Sequence, residues 1–378
     1  MTPNRHAIVP PYLLARIAEA ADDRYPVAAD AARRSLIRDA PVREWRESGE
    51  LPPFARESET SDRADRSPSD RLPSILPDAP SQPDRRISDA QGEERLPGRL
   101  VRREGQPASG DDAVDEAYDG LGDTHRLFDR VFGRDSIDGA GMPLEATVHY
   151  GDRYDNAFWD GERMVFGDGD GEVFTGFTDS LSVIGHELAH GVTERSAGLR
   201  YQGQSGALNE HVSDVFGALV EQYARGQDSG AATWLIGEGV FTPEVQGRAL
   251  RSMLEPGTAY DDDVLGRDPQ PAHMRDYIRT RDDNGGVHLN SGIPNRAFAL
   301  AATRLGGFAW EHVGRVWYDA LTSGRLDVDA DFAAFAGETV RAARERFGQG
   351  SAEASAIVEG WEAVGVEPDP TVADPAER

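Results

Sequence analysis

The stretch Leu181-Ser182-Val183-Ile184-Gly185-His186-Glu187-Leu188-Ala189-His190-Gly191-Val192 reads as one helix, because Leu181, Ile184, Leu188 and Val192 recur at helical spacing. Residues four apart on a helix differ by about 400° of rotation, so His186 and His190 project from one face, one turn apart. There both imidazoles can reach a metal ion at about 2.0–2.1 Å. Glu187 stands beside them, where a carboxylate can take a proton from an activated water. Taken alone, such a run also occurs in surface helices whose histidines are merely solvated.

Three neighbouring features favour a metal site. The residues before His186 are apolar, which buries the histidine face. Gly206-Ala207-Leu208-Asn209-Glu210 opens a second helix, marked by Leu208, Val212, Val215 and Leu219, and places Glu210 twenty residues beyond His190. Two histidines and a glutamate leave a fourth coordination position open, as in a catalytic rather than a structural zinc site. Asp214 follows Glu210 by one turn, where it can accept the free N–H of a ligating imidazole.

Upstream, Ala146-Thr147-Val148-His149-Tyr150 and Met164-Val165-Phe166 are short β-type runs separated by turns such as Gly167-Asp168-Gly169-Asp170-Gly171. Residues 293–364 are Ala-rich and helical in pattern. Residues 12–50 alternate apolar and charged positions at helical spacing, as in Tyr12, Leu13, Ile17 and Ala20. Residues 51–97 are rich in Pro, Ser, Asp and Arg and read as a flexible linker. The expected units are thus a helical leader (1–50), this linker, a β-rich lobe ending in the histidine helix (98–195), a helical lobe (196–366) and a disordered tail (367–378).

The 378 residues carry a net charge of −27, and all 40 basic residues are Arg. That field opposes binding to nucleic acid or to anionic membranes. No run approaches the roughly 20 apolar residues of a membrane span. With no cysteine, a metal site must use His and carboxylates. Met1 to Ala21 is interrupted by charge and by Pro10-Pro11, so no Sec-type signal is expected there.

His186–His190 followed by Gly206-Ala207-Leu208-Asn209-Glu210-His211-Val212-Ser213-Asp214 resembles the thermolysin family of neutral zinc metalloproteases. The likeness continues at Asn156-Ala157-Phe158-Trp159, Tyr201, Leu250-Arg251-Ser252-Met253 and Asp283-Asn284-Gly285-Gly286-Val287-His288-Leu289-Asn290-Ser291-Gly292, across roughly residues 98–366. Ile8-Val9-Pro10-Pro11-Tyr12-Leu13-Leu14 is similar to the short propeptide of the protealysin-like branch.

The resemblance implies an α+β fold of two lobes, β-rich then mainly helical, with the active-site helix between them. It implies one zinc ion on His186, His190 and Glu210, supported by Asn209 and Asp214, with Glu187 as base. Tyr201 and His288 are implied as donors to the oxyanion, with Asp283 holding His288. Asn156, Ala157 and Arg251 are implied to bind substrate backbone. Phe174, Phe177, Val183, Ile236, Val240 and Leu250 are implied to form the pocket for the residue after the scissile bond, hence cleavage before bulky hydrophobic residues. The expected substrates are proteins and peptides, and the leader is expected to inhibit its own chain until a cut between Arg85 and Leu100. A monomer is expected. Secretion follows from the resemblance, with a cytoplasmic location or a non-Sec route left open.

The pattern departs at calcium. Ser182, Thr233 and Leu235 stand where relatives carry acids, leaving Glu221 and Glu238 as possible ligands, so the double calcium site is expected to be absent or reduced. The acidic runs at Asp168/Asp170 and Asp261-Asp262-Asp263 leave calcium elsewhere open. A zinc aminopeptidase and a non-catalytic binding protein on the same scaffold are the competing readings.

Overall fold

The computed structural model of the chain describes residues 6–20, 24–48 and 81–373. The leader comprises β1 (His6–Ala7), α1 (Pro11–Ala20) and α2 (Pro26–Ser48). Proline stands first in both helices, where its missing N–H is one the helix leaves unpaired anyway. Leu13, Leu14 and Ile17 of α1 and Ala28, Ala29 and Ala32 of α2 are buried in the main core.

Strands β2 (Arg85–Asp89), β3 (Arg99–Arg103), β4 (Leu144–Val148), β5 (Ala157–Trp159) and β6 (Arg163–Phe166) join β1 in one sheet, ordered β1-β5-β6-β4-β2-β3. β2–β4 and β4–β6 pair in parallel, the remaining neighbours antiparallel. The leader therefore supplies one edge of the sheet.

β2 corrects the expected linker, whose ordered end lies well before residue 97. In Arg85-Arg86-Ile87-Ser88-Asp89 only Ile87 is a large apolar residue, and it is fully buried. Arg85 is matched by Glu104 (2.6 Å) and Arg86 by Asp84 (2.6 Å), so a strand hides within a polar composition. A cut within 85–89 or 99–100 would sever β2 or β3, and one within 90–98 would leave β2 joined to the sheet by its hydrogen bonds alone. Residues 51–80 of the expected linker lie outside the described residues.

α3 (Asp112–Phe132) packs on β2 and β4 within the lobe expected to be β-rich. Its buried side carries Val114, Tyr118, Leu121, Phe128 and Val131 at helical spacing, interleaved with the smaller or polar Gly120, Gly122, Thr124 and His125. Asp111 caps it by accepting from the Val114 N–H (3.2 Å), and Gly133 ends it at φ +66°.

α4 (Leu181–Glu194) crosses the centre of the molecule, with every residue from Ser182 to Thr193 buried, and lies against α5 (Gly203–Arg225). A Cβ on Gly217 would stand 2.4 Å from the Ser182 carbonyl oxygen, so this approach requires glycine. β7 (Leu235–Ile236) and β8 (Arg251–Ser252) form a small ribbon. The helices α6 (Asp283–Asn290), α7 (Gly292–Leu305), α8 (Val313–Thr322), α9 (Phe332–Phe347) and α10 (Ala352–Ala363) complete the lobe. A last turn, α11 (Pro370–Ala373), docks on α9 through the Asp369 N–H to the Ala333 carbonyl (2.9 Å), so the expected tail is ordered to residue 373. Among the described residues no helix is long and apolar enough to cross a membrane.

Candidate active site

The α4–α5 contact brings His186, His190 and Glu210 together, all fully buried, with one ligand atom from each within 4.8 Å of the others. The two Nε2 atoms lie 3.0 Å apart, and each is 3.5 Å from a Glu210 carboxylate oxygen. His186 Nδ1 faces Asp214 Oδ1 at 2.7 Å, and His190 Nδ1 faces Asn209 Oδ1 at 2.8 Å and Ser213 Oγ at 3.0 Å. A ring whose Nδ1–H is donated outward presents a lone pair at Nε2. Two such lone pairs and a carboxylate, with Glu210 Oε2 lacking any hydrogen bond, make a buried nest of acceptors. Left without a cation such a nest is costly, and zinc, which takes N and O donors, satisfies it.

Asp214 gathers the supports. Besides His186 it accepts from Arg251 Nη2 (2.8 Å), Arg251 Nε (3.0 Å) and Asn295 Nδ2 (2.7 Å). Burial alone would raise its carboxyl, but Arg251 and His186 outweigh that and hold it well below the usual carboxylate range. Arg251 is itself placed by the β7–β8 ribbon, where it pairs with Ile236.

Glu187 follows His186 on the same helix, and its Oε2 accepts from the Trp159 backbone N–H (3.0 Å), which fixes the carboxylate against β5. Across the cleft, the Tyr201 hydroxyl donates to Glu210 Oε1 and lies 3.3 Å from His288 Nε2. Asp283 takes the His288 backbone N–H (2.9 Å) on one oxygen and His288 Nδ1 (2.6 Å) on the other. Asp283, Asn284, Gly285 and Gly286 are successively left-handed, with φ between +50° and +84°, so this approach is a tight fixed turn. Burial pulls the His288 pKa down, but the Asp283 and Glu210 carboxylates outweigh it and raise it.

The leader lies across these groups. Ile8 N–H donates to the Ala157 carbonyl (3.1 Å) and Val9 N–H to Asn156 Oδ1 (2.9 Å). Arg251 Nη1 donates to the Ile8 carbonyl (3.1 Å), and His288 Nε2 lies 3.1 Å from the Ala7 carbonyl oxygen. Phe174, Phe177, Val183, Ile236, Val240 and Leu250 are all buried in the main apolar core, as is Ile8.

Glu221 and Glu238, the two acids kept from the calcium pattern, lie against one cation. Arg225 Nη1 contacts Glu221 Oε1 closely and Glu238 Oε2 at 3.9 Å. The acidic runs serve the backbone: Asp170 Oδ1 accepts the Glu172 and Val173 N–H groups (2.6 Å each), and Asp262 Oδ1 that of Val264 (2.7 Å). Asp263 pairs with Arg24 of the leader at 2.8 Å, and Asp168 with His149 at 2.8 Å.

Sequence reasoning missed four participants. Ser213 joins Asn209 at His190, and Gln270 Nε2 donates to the His288 carbonyl (2.6 Å). Asn295 bridges Asp214 to His211 Nδ1 (2.8 Å), whose Nε2 accepts from Trp317 Nε1 (2.7 Å). Burial pushes His211 down to about 4, so it stays neutral as this relay requires. Only Ser213 carried a signal, one turn after Asn209; Asn295 and Trp317 come from distant helices and Gln270 from a loop.

Residues 82–194 match the family model for the thermolysin metallopeptidase catalytic domain, and residues 197–366 match that for the thermolysin metallopeptidase alpha-helical domain. The chain is 55% identical over 300 residues to an extracellular metalloprotease of Pectobacterium carotovorum subsp. carotovorum, covering 79% of this chain and 84% of that protein. It is 40% identical over 266 residues to the thermolysin of Bacillus caldolyticus, covering 68% of this chain and 46% of that one. The solved precursor of protealysin, a metalloproteinase from Serratia proteamaculans, superposes with a TM-score of 0.82 at 48% identity, over 96% of this chain and 99% of that one.

Proposed function

The chain belongs to the thermolysin family of zinc metallopeptidases and is a metalloendopeptidase, and from that premise we propose that it cleaves peptide bonds before bulky hydrophobic residues and is made as a self-inhibited proenzyme. The observation that carries the catalytic reading is the buried convergence of His186, His190 and Glu210 with Glu187 alongside.

His186, His190 and Glu210 would hold the zinc ion, which supplies Lewis-acid charge to the scissile carbonyl and acidifies the attacking water. Glu187 takes the proton of that water and passes it to the departing amine. Tyr201 and His288 donate to the oxygen that becomes negative, and Asp283 keeps His288 aimed and charged. Asn156, the Ala157 carbonyl and Arg251 align the substrate as an added strand on β5. The six-residue apolar pocket around Phe174 and Leu250 selects the residue that follows the cut. Glu221 and Glu238 are read as an ion pair with Arg225 in place of a double calcium site. Secretion is supported by relatives named as extracellular.

The test compares wild type with Glu187→Ala on casein and on an internally quenched peptide, with and without a zinc chelator. Loss of the general base is expected to lower turnover by about 100-fold or more. Unchanged hydrolysis in the variant would overturn the assignment.

A further inference from the structure

The leader enters the cleft in the register of a substrate, and that register singles out one bond. Ile8 and Val9 are clamped by Ala157 and Asn156, and the Ile8 carbonyl is held by Arg251. The carbonyl facing His288 Nε2 at 3.1 Å is that of Ala7. His288 Nδ1 is occupied by Asp283, so a bond to the Ala7 carbonyl makes the ring a donor at both nitrogens. Ile8 is at 0% exposure, its side chain enclosed by the main apolar core. On the reading of the site given above, His288 marks the carbonyl under attack and the apolar pocket marks the residue after it.

We propose that the Ala7–Ile8 peptide bond is a self-cleavage site, hydrolysed by the same chain that carries it. One water adds across the C–N bond. Its oxygen goes to the Ala7 carbonyl carbon, which becomes a carboxylate, and Glu187 delivers the proton to the Ile8 nitrogen, which becomes the new N-terminus. No oxidant or further reactant is needed. The segment that ends at Ala7 leaves with the new carboxylate.

The rest of the leader does not leave with them. Pro10 and Pro11 turn the chain out of the cleft into α1, with the Leu13 N–H on the Pro10 carbonyl (3.0 Å). Beyond that, Leu14, Ile17 and Ala29 are buried. Arg24 pairs with Asp263, and the Val27 and Ala28 N–H groups both bind Glu172 (3.0 Å each). The trimmed leader, beginning at Ile8, stays bound as a product-like plug. Trimming and release are therefore separate events.

The full chain is loaded with zinc and followed by intact mass and N-terminal sequencing at two protein concentrations, beside Glu187→Ala. Wild type is expected to lose residues 1–7 at a rate independent of concentration, and Glu187→Ala to cut about 100-fold more slowly or not at all. Ile8→Asp, which puts a charge into the apolar pocket, is expected to suppress the cut, whereas Ile8→Leu retains it. A readout without turnover is hydrogen exchange in Glu187→Ala, where the Ile8 and Val9 amides are expected to be protected and to lose protection when Ile8→Asp is added. An enzyme that hydrolyses the quenched peptide yet keeps its own Ala7–Ile8 bond intact overturns the proposal and leaves the catalytic reading standing. A rate that scales with concentration overturns self-cleavage within one chain. Failure on every peptide sinks the catalytic reading and the proposal together.

Discussion

At the scale of single residues, Asp214 ties the buried histidine nest to Arg251, because the same carboxylate holds His186 and Arg251 at zero exposure. Asp214→Asn keeps the shape and removes the charge. Zinc affinity is expected to fall by about 10- to 100-fold, as when the partner of a ligating histidine is lost. Competition with a chelator measures this. The substitution also leaves the Arg251 guanidinium buried without its counter-charge, which typically costs about 3–5 kcal/mol. Denaturant unfolding of the metal-free protein should register that cost. Equal stability and equal affinity in the variant would show that the four donors around Asp214 are not coupled to the site. Asn295 and His211 lie further out in the same network, and their positions explain why a neutral, buried histidine sits next to a ligand without joining it.

At the scale of elements, His149 fastens the start of α3 to the loop before α4. Its φ is +55°, and its ring bridges Asp168 (2.8 Å) and Asp111 (3.1 Å), the residue that caps α3. The hydrogen bond to Asp168 does most to raise its pKa to about 9, against partial burial, with Asp111 adding to it. The folded pKa lies above the ordinary histidine value of about 6.5. The folded state therefore binds the extra proton between those values, and the stability this contributes is complete below about 6.5 and lost as pH rises through about 9. Thermal unfolding midpoints are expected to fall between pH 7 and pH 10 in wild type. His149→Gln should have a lower midpoint near neutrality and a flatter profile across that window. Parallel profiles would show that the bridge contributes nothing.

At the scale of the whole molecule, the leader is both a sheet edge and a pair of helices packed into the common core, so its removal exposes β5 and the cleft together. Because β2 is bonded on both sides within the sheet, the maturation cut is expected to fall before Ser81, not between Arg85 and Leu100. N-terminal sequencing of active enzyme checks this, and a mature terminus inside 85–100 would refute it. Trimming at Ala7–Ile8 would leave the cleft filled by the segment from Ile8 onward, whichever cut comes first.

The metal nest was legible in the residues themselves, because helical periodicity alone sets His186 and His190 on one face, and the spacing to Glu210 and Asp214 repeats that logic on the next helix. The Asp283–His288 pair was legible through the motif around it. β2 was not, since its charges are neutralised by Glu104 and Asp84, and composition cannot see partners. α3, by contrast, carries a stripe at helical spacing, Val114, Tyr118, Leu121, Phe128 and Val131, that marks a helix even within the lobe expected to be β-rich. What the sequence by itself determined was therefore local: which helices form, which faces they present and which residue types a metal would find there. Only the tertiary structure decided that Arg251 would reach Asp214, that Asn295 and Trp317 would stand behind it, and that Ala7–Ile8 would lie at the site. Those contacts join segments up to 281 residues apart, as from Ala7 to His288, and no local periodicity encodes which distant surface a given side chain will meet.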